Sequence, residues 1–319
     1  MPRMHADELD IGVDLVRQLL TTQFAAWADL KIERVPSPGT DNAIFRLGDE
    51  MAVRMPRIHW AAADGAKEHT WLPRVAPHLP VAVPVPLAMG TPGEGYPWPW
   101  SVVPWLPGVE AFSAPISNLN EYASDLARFV IALHRVDAGA EPPTGAPAAG
   151  RGVALSTRDG PVRAAIEQLR GTLDVQALAA IATAWDVALE APRWNGAPVW
   201  IHGDLQPTNL LVEEDLLTGV IDWGGLGMGD PAADLIPAWS FLTGPSREAY
   251  REELAVDEAT WARGRGWALS VGLIALPYYI DTNPVIVDWS RRSIQAVLVD
   301  SSSGGSLGST VSGRCGTGV

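Results

Sequence analysis

The sequence predicts an α+β protein of two lobes, a small antiparallel β-sheet lobe with one helix followed by a larger, mainly helical lobe. Three observations carry that expectation. Between residues 30 and 55 apolar side chains alternate with polar ones, the pattern of half-buried strands. Beyond residue 118 the apolar spacing widens to three and four, the period of a helix. Between the two regimes Pro104, Pro107 and Gly108 interrupt both patterns. A length of 319 residues suits two such units at roughly 150 residues each.

The elements follow in order. A helix is expected over about the first 20 residues, with Asp7 able to cap it and Leu15, Val16, Leu19 and Leu20 on one face. Three strands come next, around Leu30, Ile32 and Val35, over 42–47, and through Met51, Val53 and Met55; Gly48 and Asp49 turn the last hairpin. Residues 61–72 read as a helix stopped by Pro73, and 81–89 and 98–106 as extended pieces punctuated by proline. Asn118 with Glu121 forms a capping-box signature for a helix whose stripe is Leu119, Tyr122, Leu126, Phe129, Val130 and Leu133. Residues 139–152 are a Pro/Gly/Ala-rich loop, and 173–191 a second amphipathic helix. Short strands at 199–201 and 220–221 flank a polar loop. Asp230-Pro231, Asp257 and Asn283-Pro284 each open a further helix. The tail 301–319 holds six Ser and six Gly without periodicity, and disorder is expected there. The expected division is therefore 1–106, 107–300 and the tail 301–319.

Composition narrows the function. The formal net charge is −14, so no basic stripe exists to displace counterions and nucleic acid is not expected as a partner; cationic ligands are favoured instead. The single cysteine, Cys315, permits neither an intramolecular disulfide nor a cysteine zinc site. The first ten residues lack a basic-then-apolar leader pattern. The longest uncharged apolar run, 266–280, has 15 residues and contains Gly272 and Pro277, short of the roughly 18 a span needs. A cytoplasmic protein without a membrane partner is expected.

The chemistry concentrates in His202-Gly203-Asp204-Leu205-Gln206-Pro207-Thr208-Asn209, followed thirteen residues after Asn209 by Asp222-Trp223-Gly224. An Asp and an Asn five apart on one tight loop, with a second Asp at the end of a neighbouring strand, can face one cleft. Asn209 and Asp222 offer the hard oxygens that suit Mg2+, which takes few protein ligands and completes its shell with phosphates and water. Asp204 is then left to accept the proton of a substrate hydroxyl. Phosphoryl transfer needs this division of labour.

The same frame, H-x-D-L-x-x-x-N then D-x-G, belongs to protein kinases. Here Gly203 stands for the kinase arginine and Trp223 for the phenylalanine. With Gly229-Asp230-Pro231-Ala232-x-Asp234-Leu235 added, the chain resembles the aminoglycoside phosphotransferase family. That small-molecule kinase branch also includes choline, homoserine and methylthioribose kinases and macrolide phosphotransferases. In the first lobe Gly39-Thr40-Asp41-Asn42, Phe45-Arg46-Leu47-Gly48 and Val53-Arg54-Met55-Pro56-Arg57 are similar to that family's opening strands, so the resemblance spans about 35–299. It implies a bilobal protein-kinase-like fold, with a nucleotide-binding first lobe and a catalytic, substrate-binding second lobe. By that resemblance Asp204 is the catalytic base, and Asn209 and Asp222 hold Mg2+. Arg54 contacts the phosphates of ATP or GTP, where the family usually has lysine, and Glu68 holds Arg54. Backbone groups of 103–106, from Val103 to Leu106, meet the purine. No G-x-G-x-x-G covers the phosphates, which leaves Ser37 and Thr40 to do so. The absence of that loop and of an A-P-E segment, with Asp230-Pro231 so soon after the metal loop, argues against a protein kinase.

Other residues read in two ways. His202 reads as a structural loop residue and Asp230 as a helix cap. Asp234 braces the catalytic loop or is a solvated helix residue. Trp98, Trp100 and Trp105 are strand packing or a ligand cage. Glu248, Glu252, Glu253, Asp257, Glu258, Asp281 and Asp288 make the late helices acidic, which would attract an aminosugar. Trp239, Phe241, Trp261, Trp267, Tyr278, Tyr279 and Trp289 could equally wall a site for a large apolar lactone. The expected activity is transfer of a γ-phosphoryl group to a hydroxyl of a small, cationic acceptor of the aminoglycoside type, an antibiotic-resistance chemistry. Macrolide or small-metabolite kinases and a non-catalytic nucleotide-binding protein are the alternatives. Monomer and homodimer are both compatible with the sequence.

Overall fold

A computed structural model describes residues 8–37, 39–137, 139 and 150–304 of the chain. The first lobe is a five-stranded antiparallel sheet in the order β1-β2-β3-β5-β4, formed by β1 Ile32–Arg34, β2 Asn42–Leu47, β3 Met51–Pro56, β4 Ala88–Gly90 and β5 Trp100–Pro104. The alternation seen in the sequence is the register of the sheet. Phe45 pairs with Val53, and both are fully buried with Leu47, Met55 and Val102. Helix α1, Val13–Gln23, closes this core with Val16, Leu19 and Leu20.

Helix α2, Asp64–Val75, joins the lobes. Its Leu72 and Val75 bury in the core of the second lobe, and Trp71 lies 5.6 Å from Trp200 there. Pro73 does not stop this helix. It sits two residues from the end, where one lost N–H bond costs little and the buried Leu72 and Val75 hold the last turn.

The second lobe contains α3 Leu119–His134, α4 Asp159–Gln168, α5 Val175–Leu189, α6 Pro237–Ser240, α7 Gly244–Leu254, α8 Glu258–Tyr279 and α9 Pro284–Gly304. Two small sheets support the loops between them. β7 Val199–Ile201 pairs with β10 Gly227–Gly229, and β8 Leu210–Glu213 lies between β6 Val109–Glu110 and β9 Leu216–Val220. The expected caps are present: Asn118 Oδ1 accepts from Glu121 N–H, Asp174 from Ala177 N–H and Asp257 from Thr260 N–H.

Several boundaries differ from expectation. Residues 8–12 run extended, with Leu9 N–H donating to the Arg57 carbonyl (2.9 Å), so α1 starts at Val13; Asp7, the expected cap, lies outside the described residues. Helix α7 was not among the expected helices; Pro245 occupies its first turn, and Thr243 with Ser246 forms a capping box. α4 and β8 were not expected at all. Helix α9 runs through residues 301–304, four residues into the expected tail; the rest of the tail, with Cys315, and most of the 139–152 loop lie outside the described residues. Among the described residues no helix is long and apolar enough to cross a membrane.

Candidate active site

The site begins where β7 ends. Gly203 holds φ +78°, and a Cβ there would stand 3.0 Å from the Gly225 carbonyl oxygen, so a side chain at this position is strained and crowded. The turn throws Asp204 into the cleft. Asn209, at the end of a short 3-10 turn opened by Pro207, is nearly buried and donates from Nδ2 to the Asp204 backbone oxygen (2.9 Å) and to Asp204 Oδ2 (3.3 Å). Its own backbone oxygen accepts from Ile221 N–H (2.9 Å), which ties the 202–209 loop to the strand end before Asp222. Asp222 itself adopts the left-handed conformation at φ 60°, a strained state for a non-glycine residue of the kind that concentrates at functional sites.

Asp234 is a brace. Fully buried, its carboxylate accepts from His202 N–H (3.1 Å) and Gly203 N–H (2.7 Å) and lies 3.1 Å from His134 Nε2. His202 is structural, as read from the sequence: Nδ1 accepts from Asp204 N–H (3.2 Å), which places its proton on Nε2, facing the Ile221 carbonyl oxygen (3.1 Å). Burial pushes the His202 pKa down against the pull of Asp234 and Asp204, so the ring is neutral. Asp230 caps Ala232 N–H (3.0 Å) as expected. It also forms a buried two-point ion pair with Arg263 of α8 (2.7 and 3.2 Å), which no motif in the sequence marked.

From the first lobe, Arg54 on β3 reaches Glu68 on α2 in a direct ion pair. Its other nitrogen lies 3.4 Å from Asp222 Oδ1. Glu68 is fully buried and the Arg54 side chain only 11% exposed, so Glu68 is no surface charge. Burial works against the Arg54 charge, but Glu68, Asp222 and Asp64 together outweigh it and raise its pKa. Loss from water, with the nearby carboxylates Asp204 and Asp41, pushes Asp222 up, while Arg54 pulls it down. Lys67 donates to the Gly224 carbonyl oxygen and pairs with Asp64 (3.4 Å), a second link between α2 and the Asp222-Trp223-Gly224 turn that the sequence did not reveal.

Thr40 and Ser37 part company. Thr40 Oγ1 lies 3.1 Å from Asp41 Oδ1 and accepts from Tyr279 O–H (3.2 Å), so it spans the cleft to the end of α8. Ser37 Oγ accepts from Gly39 N–H (3.0 Å) within its own turn, and Pro38 lies outside the described residues. In the connection, Val103 is buried opposite Ala52, and Trp105 N–H is taken by the Glu50 carbonyl oxygen (2.7 Å). Pro104 and Pro107 have no N–H, so Leu106 carries the remaining donor there.

Most of the aromatic residues that could wall a site are packed in the protein instead, although Tyr279 reaches Thr40 across the cleft. Trp239, Trp261, Trp267 and Trp289 are core residues; Trp100 is buried in the small core, with Trp98 packed against it, while Trp105 lies under Arg46. Of the acidic residues, Glu253 pairs with Arg128 (3.5 Å), Glu258 with Arg251, Asp288 with Arg292 (2.7 Å), and Asp257 caps α8. One further residue, found by no motif, does touch Asp204: Arg151 Nη2 lies 3.5 Å from its Oδ1.

The donor set fits Mg2+. Asn209 spends its Nδ2 on Asp204, which leaves its oxygen for a ligand, and the Asp222 carboxylate is half-exposed. Among the described residues no three His, Cys, Asp or Glu side chains are grouped so as to hold a metal ion.

Sheet lobe, helical lobe, buried Arg–Glu pair and paired loops define a kinase-like phosphotransferase. The model of the Phosphotransferase enzyme family matches residues 32–267, and the chain belongs to that family. No curated protein matches the chain. Among solved structures it is similar to a GDP and kanamycin complex of APH(2")-IIIa, with 19% identity over 90% of this chain and 98% of the other and a TM-score of 0.71. A macrolide 2'-phosphotransferase, MphH from Brachybacterium faecium, shares 23% identity over 90% and 98%, with a TM-score of 0.58. An aminoglycoside phosphotransferase APH(4)-Ia shares 21% over 89% and 99%, with a TM-score of 0.60.

Proposed function

We propose that this phosphotransferase moves the γ-phosphoryl group of ATP or GTP onto a hydroxyl of a small molecule, with an aminoglycoside-type antibiotic as the leading acceptor class. The observation that carries the reading is the Arg54 guanidinium held between Glu68 of α2 and Asp222 of the second lobe. A buried cation fixed on both sides, at the mouth of the catalytic loop, suits phosphate. Arg54 would contact the phosphates, and Asp222 with Asn209 would hold the Mg2+ that neutralises their charge. Asp204, oriented by the Asn209 amide, would take the acceptor proton. Leu106 N–H, with the carbonyls of the connection, would meet the purine, and Thr40 would cover the phosphates.

A macrolide is the second acceptor reading. The observation favouring it is that Glu253, Glu258, Asp257 and Asp288 are spent on arginines or a cap, which removes much of the acidic attraction an aminosugar would feel. The deciding experiment is a panel of kanamycin, erythromycin and choline, each with ATP and with GTP, read by phosphate incorporation, with Asp204→Asn as control. The variant should bind nucleotide normally and lose about 10²–10⁴-fold in transfer. Equal turnover in both proteins would overturn the assignment of Asp204, and phosphate incorporation in neither would favour a non-catalytic nucleotide-binding role.

A further inference from the structure

Arg151 belongs to none of the sequence motifs, yet it lies against the reacting carboxylate. Its Nη2 is 3.5 Å from Asp204 Oδ1, and its side chain is 12% exposed. The aliphatic stem rests on Gly203: a Cβ built at 203 would meet Arg151 Cβ at 3.1 Å and Cγ at 3.4 Å. The space a side chain at 203 would fill is thus taken by an arginine from another part of the chain.

Its other donors are idle. Nε and Nη1 are buried and have no hydrogen-bond partner among the described residues. Burial lowers the Arg151 pKa, with Asp204 opposing, so the protein does not fully compensate the charge. A structural arginine of this lobe looks different. Arg263 spends its donors on both Asp230 oxygens, the Thr260 hydroxyl and the Pro192 carbonyl. An unsaturated buried guanidinium is costly to fold, and it is matched when an oxyanion arrives with the substrates.

We propose that Arg151 is a catalytic residue that donates its unpaired N–H groups to the equatorial oxygens of the phosphoryl group during transfer. This rests on the reading of Asp204 as the base. As the acceptor oxygen bonds to the γ-phosphorus, the bond from that phosphorus to the β–γ bridging oxygen breaks, and its electron pair leaves with the nucleoside diphosphate. The hydroxyl proton passes to the Asp204 carboxylate. Arg151 forms and breaks no covalent bond. Its fork stabilises charge on the group in flight beside the Asp204 carboxylate.

The test needs no knowledge of the acceptor. Phosphate release from ATP or GTP to water is measured for wild type, Arg151→Met and Arg151→Lys. Arg151→Met keeps the stem over Gly203 and removes the charge; it should lower turnover about 10²–10³-fold, the usual loss for a preorganised oxyanion donor. Arg151→Lys, which keeps the charge without the fork, should recover part of that. A second readout is binding of GDP alone against GDP with aluminium fluoride, a mimic of the transferring group. Wild type should bind the mimic complex more tightly than GDP, and Arg151→Met should keep GDP affinity and lose that gain. Equal turnover, or an undiminished gain, overturns the proposal. If Arg151→Met does not fold, a fully active Arg151→Lys overturns it as well. A wild type that binds no nucleotide overturns the reading of the site itself.

Discussion

The His202 imidazole joins two loops: Nε2 lies 3.1 Å from the Ile221 carbonyl oxygen, and Nδ1 accepts the N–H of Asp204. One buried ring therefore sets the spacing between the residue proposed as base and the residue that precedes the proposed metal ligand. In His202→Ala both backbone groups lose their partner in a dry interior, at about 1–3 kcal/mol each. The variant should melt well below wild type and lose turnover while retaining some nucleotide binding. Thermal unfolding followed by circular dichroism, with nucleotide titration, checks this, and an unchanged melting temperature would contradict it.

The same ring makes stability depend on pH. Burial holds His202 below its ordinary pKa of about 6.5. As pH falls through that value the unfolded chain gains a proton that the folded protein refuses, so the unfolded state binds more protons and stability falls. Below about pH 6.5 the wild type should therefore lose stability with a steeper slope than His202→Gln, by up to roughly 1.4 kcal/mol per pH unit for one proton. Urea unfolding at several pH values between 5 and 8 measures the difference; parallel slopes would mean that the ring takes up its proton equally in both states.

What could be read from sequence, and what could not, follows from how far apart the partners are. β2 was visible because one of its faces is buried, which writes a period of two into 42–47; β3, between β2 and β5, is buried at Ala52, Val53, Met55 and Pro56 and was legible from its apolar residues at 51, 53 and 55. Asp204, Asn209 and Asp222 were visible because their geometry is set by neighbours in the chain, through Gly203, Pro207 and the strand after them. Arg151 beside Asp204, Arg263 beside Asp230, His134 beside Asp234 and Tyr279 beside Thr40 were not visible. Each pair is made by packing of distant segments, and one member of each, Arg151, Arg263, His134 or Tyr279, carries no local signature. The aromatic and acidic residues of the late helices misled for the same reason: composition shows that they exist, and only packing shows that the tryptophans face the core and that the carboxylates meet arginines.

Glu68 should be the stability anchor of the cleft. It is fully buried and ion-paired to Arg54, whose other nitrogen faces the half-exposed Asp222. Glu68→Ala strands a buried guanidinium, a change that typically costs about 3–5 kcal/mol. It also lets Arg54 swing toward Asp222, so the nucleotide KM should rise. Arg54→Lys keeps a cation against Glu68 and should change turnover modestly. Complete loss of activity in that variant would show that phosphate is gripped at two points, which lysine cannot do.

Asp222 couples conformation and charge, and two substitutions separate them. Its φ of 60° lies in the left-handed region that asparagine tolerates and alanine does not favour. Asp222→Asn should therefore keep the turn before Trp223-Gly224 and the contact face toward Arg54 while removing the ligand charge; Asp222→Ala should lose both. In a Mg2+ titration followed by nucleotide fluorescence, Asp222→Asn should weaken the metal-dependent part of binding by more than the roughly 10–100-fold that loss of an outer partner costs. Asp222→Ala should abolish that part and lower the melting temperature as well. Metal-dependent binding that survives in both variants would remove Asp222 from the ligand set and leave its strained backbone without a chemical purpose.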